Sequence, residues 1–484
     1  MLSIGIIASS GLRETWQNVI EGFQGDLPAY YVLLDLWSHI AGDSVFWLRL
    51  FSVVCGSLFI LVVYKLAGLL FDRKTAILSA YFTAISPLLV FYSRVVRYYS
   101  LSSLLHLSSL YFFIKSLEKG RLRDRLFYVL FTAAALYINY SALLFIAAQA
   151  LFILIYRRQY ASGLKRWLWC ICAVFILWLP IIRYFLRDSF LLLDAEGFAR
   201  TPLRGGWIAN LAYLFFTFSL GVTVSPFNYP AVLAGLSVYA VVLVRFLKVN
   251  VFKKDIRRNI VFIILSILVV SLLCTSSGYN SSRYIKAVSG LYVICVAVGL
   301  LSFPRKYAIA LILALSLVRG YSLQNLYAKK EYHRKEFADS WDRISEYVDN
   351  NSDDKDAIIF NGLAFGYYMR GLNPVKPVHS MPEDEEGMRQ LIREGIEQPK
   401  VKKVILVDSP LSGLRMKDFE DEIVLLKGYL DSHNYALMDE ECFDRDKRAH
   451  LRRKLVGRPF PECRTKVYVY ISPHPNPPPQ GGRE

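Results

Sequence analysis

Ten apolar runs recur along the first two thirds of the chain, at 46–70, 75–92, 98–117, 126–139, 141–156, 167–186, 229–248, 259–277, 285–302 and 307–321. Most are near the roughly 17–25 residues that carry a helix across a bilayer. Inside hydrocarbon every backbone N–H and C=O must be satisfied within the protein, so runs of this length are helical. The pattern predicts a mainly α, polytopic transmembrane helix bundle. The two runs on either side of Asn139-Tyr140-Ser141 read as a tight helical hairpin. Residues 206–222 are apolar enough to span, but the parity of the other runs assigns them to the outer interface.

Charge supports the same class. The net charge of +17 suggests nucleic acid only until the basic residues are placed. The loops 65–75, 115–125, 157–166, 245–258 and 304–306 hold 20 Lys and Arg, against 8 in 93–97, 139–141, 183–205, 223–228 and 278–286. Basic residues favour the cytoplasmic side, so the first set is expected inside and everything after Tyr321 outside. No nucleic-acid partner is expected. Cys55, Cys170, Cys172, Cys274 and Cys295 lie in apolar runs and read as inert thiols. No second ligand pair follows Cys170-x-Cys172, so no metal centre is predicted. Cys442 and Cys463 fall in the C-terminal part, where an oxidising compartment permits a disulfide; spacing alone leaves that pairing open.

Ahead of the first span, Leu12, Trp16, Val19, Ile20 and Phe23 recur at helical spacing opposite Arg13, Glu14, Gln17, Asn18 and Glu21. Such a helix lies in the interface plane. Leu27 to Ile40, with Asp35, Ser38 and His39, reads as a juxtamembrane helix. Beyond Leu326 the composition becomes that of a soluble domain. Asp356–Phe360, Val401–Val407 and Val467–Ile471 read as buried strands, with Phe337–Tyr347 and Met416–Tyr429 as helices. The expected domains are interfacial helices over 1–45, a bundle over 46–325, an α/β domain over 326–472 and a Pro/Gly-rich disordered tail over 473–484.

Three stretches carry a resemblance. Gly25-Asp26-Leu27-Pro28-Ala29-Tyr30-Tyr31 opens the juxtamembrane run, Phe46–Ser52 leads into the first span, and Tyr92-Ser93-Arg94-Val95-Val96-Arg97-Tyr98-Tyr99-Ser100 follows the second. In this order they resemble the polytopic glycosyltransferases of the GT-C type, closest to the family 39 and aminoarabinose-transferase group. The resemblance implies transfer of a hexose or pentose from a polyprenyl-phosphate donor to a lipid, glycan or protein, at the outer face of a bacterial inner membrane. It also implies a C-terminal α/β domain outside, as the composition suggests, with membrane lipids as surroundings. No obligatory cofactor is implied, and a divalent cation, the sugar and the acceptor stay open. Members normally start with one further helix and an acidic motif, so the frame is expected to continue upstream of Met1.

A lipid phosphate at the water boundary needs basic partners, and Arg is suited to planar bidentate contact. Arg94 and Arg97 stand on the side with few basic residues, and Arg283 with Lys286 makes a second cluster there; the "Arg-Tyr" of the look-alikes matches Arg283-Tyr284. These four are the candidate donor-phosphate ligands. Tyr30, Tyr31, Tyr98, Tyr99 and Tyr284 are candidate lining residues, though an aromatic belt explains tyrosines at an interface equally well. Acid–base work falls to Asp26 among the outside carboxylates, and no metal ligands are assigned. Two other readings compete: a non-catalytic homologue that binds the lipid sugar, and a polysaccharide polymerase, ligase or transporter.

Overall fold

The computed structural model describes residues 27–42, 44–194, 206–250, 254–276, 286–328, 341–360, 378–380, 385–398, 401–408, 416–443 and 465–471. The described residues fall into two compact units, the first over 27–328 and the second over 341–471.

The first unit is a helix bundle. Helix α1 (Pro28–Ala41) begins with Pro at its first turn, where a missing N–H costs nothing, and ends at Gly42 with φ 104°. Helix α2 (Val45–Leu70) is largely apolar, with Arg49 and Lys65 towards its two ends. Asp72 then caps α3 (Arg73–Ala84), its side chain accepting from the Thr75 N–H at 2.7 Å. Next come α4 (Pro87–Ser93), α5 (Tyr99–Lys119), α6 (Leu122–Ile138), α7 (Ala142–Ile155) and α8 (Ala161–Asp194). The bundle closes with α9 (Gly206–Leu220), α10 (Tyr229–Asn250), α11 (Lys254–Ser276), α12 (Lys286–Leu301) and α13 (Arg305–Tyr327). The hairpin expected at Asn139-Tyr140-Ser141 joins α6 to α7, with Asn139 Oδ1 accepting from the Ser141 N–H at 2.8 Å.

Among the described residues, four helices are long and apolar enough to cross a membrane alone: Phe46–Leu70, Ala161–Ile182, Tyr229–Val249 and Arg305–Tyr327. The run expected as one span at 75–92 is instead broken. Helices α3 and α4 meet at 58° across Ile85-Ser86, because Pro87 has no N–H to continue the ladder and disfavours helix in the residue before it. Other predicted spans fall on shorter or more polar helices, and α12 shows why. Every one of its residues but Leu301 is buried, so neighbouring helices rather than lipid cover it. It is the axis of the bundle, against α3, α10 and α11. Close approach depends on Gly299, where a Cβ would stand 2.6 Å from the Val242 carbonyl oxygen of α10. The chain is thus a multi-pass membrane protein with a closely packed interior.

The second unit is a small α/β domain, with sheet order β2-β1-β3-β5-β4. Strand β1 (Ala357–Phe360) runs parallel to β2 (Val378–Ser380) and β3 (Lys403–Asp408), while β5 (Thr465–Ile471) is antiparallel to β3 and to β4 (Ala436–Phe443). Strand alternation splits the core in two. Ile358, Ile405, Val467 and Val469 meet Ile344 and Val348 of α14 (Trp341–Asn351). Ile359, Val404, Leu406 and Tyr470 meet Met388 and Leu391 of α15 (Glu385–Leu391) and Leu426 and Leu430 of α16 (Met416–Ser432). The buried Asp356 carboxylate ties two strand starts together, accepting from the Asp353 N–H at 2.7 Å and the Lys403 N–H at 3.0 Å. Cys442 is disulfide-bonded, and its expected partner Cys463 lies outside the described residues.

Candidate donor-binding site

The site is built where four elements end together: α1, the end of α4, the turn into α5, and the first residue of α12. Pro87 starts α4 in a new direction, and this seven-residue helix stops at Ser93 against α2. Gly56 of α2 makes that approach feasible, since a Cβ there would overlap the Ser93 hydroxyl. The chain then turns through Arg94–Tyr98, with the Arg97 N–H donating to the Val95 carbonyl at 2.8 Å, and enters α5 at Tyr99.

Tyrosines fill the space between these elements. Tyr30 and Tyr31 of α1 are fully buried, their rings 5.4 Å apart, and Tyr30 lies 6.1 Å from Phe51 of α2 and 6.3 Å from Tyr98. Tyr98 and Tyr99 meet at 4.8 Å, and Tyr99 meets Tyr92 at 5.3 Å, both edge to face. Lys286, at the head of α12, is 1% exposed, and its ammonium lies 3.9 Å from both the Tyr92 and the Tyr99 ring centroids. Two ring faces offer an ammonium negative potential where water is scarce, which is how a cation stands this deep. Arg97, half-buried, reaches the same tyrosine from its other end: Nη1 donates to the Tyr99 hydroxyl at 3.2 Å. Tyr99 therefore joins the two cations. Arg94 is exposed, with its guanidinium 5.2 Å from the Tyr327 ring centroid at the end of α13.

Of the residues singled out from the sequence, Tyr30, Tyr31, Tyr98, Tyr99, Arg97 and Lys286 thus come together, with Arg94 at the edge. Asp26, Arg283 and Tyr284 lie outside the described residues. Tyr92 enters as the second face of the Lys286 clamp; its place in the Tyr92–Ser100 motif was the signal. On α1 the buried carboxylate is Asp35, one helical turn beyond Tyr31, with Oδ1 3.8 Å from His39 Nδ1. Among the described residues, no three His, Cys, Asp or Glu side chains stand together as a metal site would require. The arrangement puts positive charge and aromatic faces at one end of an apolar bundle, suited to an anionic headgroup on an apolar tail.

The fold is that of a polytopic membrane protein similar in architecture to the GT-C glycosyltransferases. Residues 27–184, which contain α1 and the whole Tyr92–Ser100 motif, match the family model described as dolichyl-phosphate-mannose-protein mannosyltransferase. Among solved structures, the chain is similar to ArnT from Cupriavidus metallidurans in the apo state, at 12% identity and TM-score 0.58, covering 96% of this chain and 91% of that one. It is also similar to the same protein bound to undecaprenyl phosphate, at 11% identity and TM-score 0.54, covering 96% and 92%. No curated protein sequence matches the chain. The likeness read from three short stretches therefore holds at the level of the whole fold.

Proposed function

We propose that this protein is a glycosyltransferase that takes sugar from a polyprenyl-phosphate-linked donor at the outer face of a bacterial inner membrane. The observation that carries the reading is the Lys286–Tyr99–Arg97 cluster, with Lys286 clamped by Tyr92 and Tyr99 at one end of an apolar bundle. The shared fold with ArnT, solved with undecaprenyl phosphate, supports it. In such a transfer the bond from the anomeric carbon to the donor phosphate oxygen breaks while one to the acceptor forms. Negative charge grows on the leaving phosphate, and fixed cations in a water-poor site stabilise it as it develops. Lys286 is held in place before substrate arrives, and Arg97, which donates to the Tyr99 hydroxyl, supplies a planar guanidinium. Arg94 adds charge at the approach and Tyr30, Tyr31 and Tyr98 line the headgroup space; Arg283 as a phosphate ligand, Tyr284 as a lining residue and Asp26 as the first candidate for acceptor activation rest on the sequence motifs alone. Hexose or pentose, and lipid, glycan or protein acceptor, are choices made by contacts around this cluster.

The test is binding of undecaprenyl phosphate to the purified protein, followed by native mass spectrometry or fluorescence quenching. Arg97→Ala removes a charge-assisted contact worth about 1.5–3 kcal/mol, a loss of about one to two orders of magnitude in affinity. Arg97→Lys retains part of it, because a point ammonium lacks the fork. A wild-type protein that ignores the lipid phosphate, or a folded Arg97→Ala protein that binds it normally, defeats the reading.

A further inference from the structure

Arg319 lies in the apolar stretch Leu317-Val318-Arg319-Gly320 of α13, is fully buried, and takes no part in the tyrosine cluster. A cation inside a membrane bundle is costly unless its neighbours hold it, and such residues are rarely incidental.

Its partners explain it. In an uninterrupted helix the Phe82 carbonyl would accept from the Ser86 N–H. Ahead of Pro87 the last turn of α3 tightens instead, and the Ser86 N–H donates to the Thr83 carbonyl at 3.2 Å. The Phe82 carbonyl loses its helical donor in a fully buried position. Arg319 Nη1 donates to that oxygen, and Arg319 Nε donates to the Tyr239 hydroxyl of α10 at 2.8 Å. The guanidinium carbon stands 5.0 Å from the Phe82 ring centroid and 5.9 Å from that of Tyr239.

The same helix grips the broken span on both sides of the bend. Ser316 Oγ and the Tyr81 hydroxyl share a hydrogen bond at 3.0 Å on the α3 side. Tyr327 meets Arg94 beyond the end of α4. Helix α13 is laid along the break like a splint, and Arg319 is its contact with a buried backbone oxygen that the break releases.

We propose that Arg319 is a positioning residue: by occupying the freed Phe82 carbonyl it fixes the angle at which α4 delivers Tyr92, Arg94 and Arg97. The functional half of this inference rests on the donor-site reading above. Without the guanidinium, the buried carbonyl is left without a donor while Pro87 still bars the regular ladder, so the bend loses the contact that fixes its angle and the Tyr92–Arg97 segment is no longer held in place. Two donors in different directions are needed at once, to Phe82 and to Tyr239, so Arg suits the place better than Lys.

The bend is read directly by the distance between nitroxide labels at Ile77 and Val95, with the exposed Cys172 replaced by Ser. Arg319→Met is expected to lengthen or broaden that distance and to weaken undecaprenyl phosphate binding by about tenfold or more, with Arg319→Lys restoring part of both. A folded Arg319→Met protein whose label distances match wild type overturns the proposal. Should Arg319→Met not fold, the double variant with Pro87→Ala decides: Ser86 can then serve the Phe82 carbonyl, so folding returns while lipid binding stays lost. Folding that Pro87→Ala does not recover also overturns it. A wild-type protein that binds no lipid phosphate defeats the donor reading instead, and the label distances still judge Arg319.

Discussion

Lys286 shows how one side chain can carry both a structural and a functional task. Its stem is packed at the head of the bundle's axial helix, and its ammonium sits between two tyrosine faces. Methionine has a similar length and keeps the packing without the charge. Lys286→Met is therefore expected to fold with nearly unchanged thermal stability, since volume-conserving swaps cost less than about 1.5 kcal/mol. Lipid-phosphate affinity should fall by about tenfold, the size of one charge-assisted contact. An unchanged affinity in the titration would remove Lys286 from the site. Its basic character was legible in the sequence, because a Lys on the side poor in basic residues stands out. The clamp was not, since nothing in the spacing says that residues 92, 99 and 286 meet. Arg319 stands within the predicted span 307–321, and its cost in hydrocarbon was a signal that went unused in the sequence.

At the level of single elements, the axial helix α12 is defined by what its small residues permit. A side chain at Gly299 meets the backbone of α10, which cannot turn aside as a side chain can. Gly299→Val is expected to lower the melting temperature in detergent markedly, overpacking typically costing about 1–3 kcal/mol. Gly320 in α13 has open space where its Cβ would stand, so Gly320→Val serves as the tolerated control. Equal melting temperatures for the two variants would contradict the close packing of α10 on α12. The break between α3 and α4 belongs to this scale too. Ser86-Pro87 is readable as a helix terminus, yet hydropathy runs on through 75–92 and favours one span; a sliding average does not register a missing N–H. In the second unit β4 went unread because Asp439-Glu440-Glu441 interrupts any apolar alternation. Those acids suit a strand at the sheet edge, where charge deters further pairing.

For the whole molecule, the positive-inside count predicts the sidedness of the bundle. A reporter fused at Arg121 or Lys254 is expected in the cytoplasm, and one fused after Asp349 outside. The disulfide at Cys442 agrees, because such bonds persist in oxidising compartments. A cytoplasmic signal from the Asp349 fusion would reverse the membrane orientation and with it the assignment of Arg94, Arg97 and Lys286 to the outer face.

The sequence alone determined the class, the approximate helices and the buried strands of the second unit. These follow from local quantities: the length of an apolar run against the thickness of hydrocarbon, the short continuous apolar runs within Ala357–Phe360, Lys403–Asp408 and Thr465–Ile471, and the turn chemistry at Asn139. Three short stretches also carried the likeness to the GT-C fold. What the tertiary structure decided is which distant residues share a place. Lys286 meets Tyr99 across 187 positions, and Arg319 reaches Phe82 across 237. Hydrophobic burial drives helices together without specifying partners, because an apolar stripe fits many others. Register is settled by the few positions where a glycine admits a neighbour or a buried polar group must find its complement, and those pairings exist only once the helices have packed.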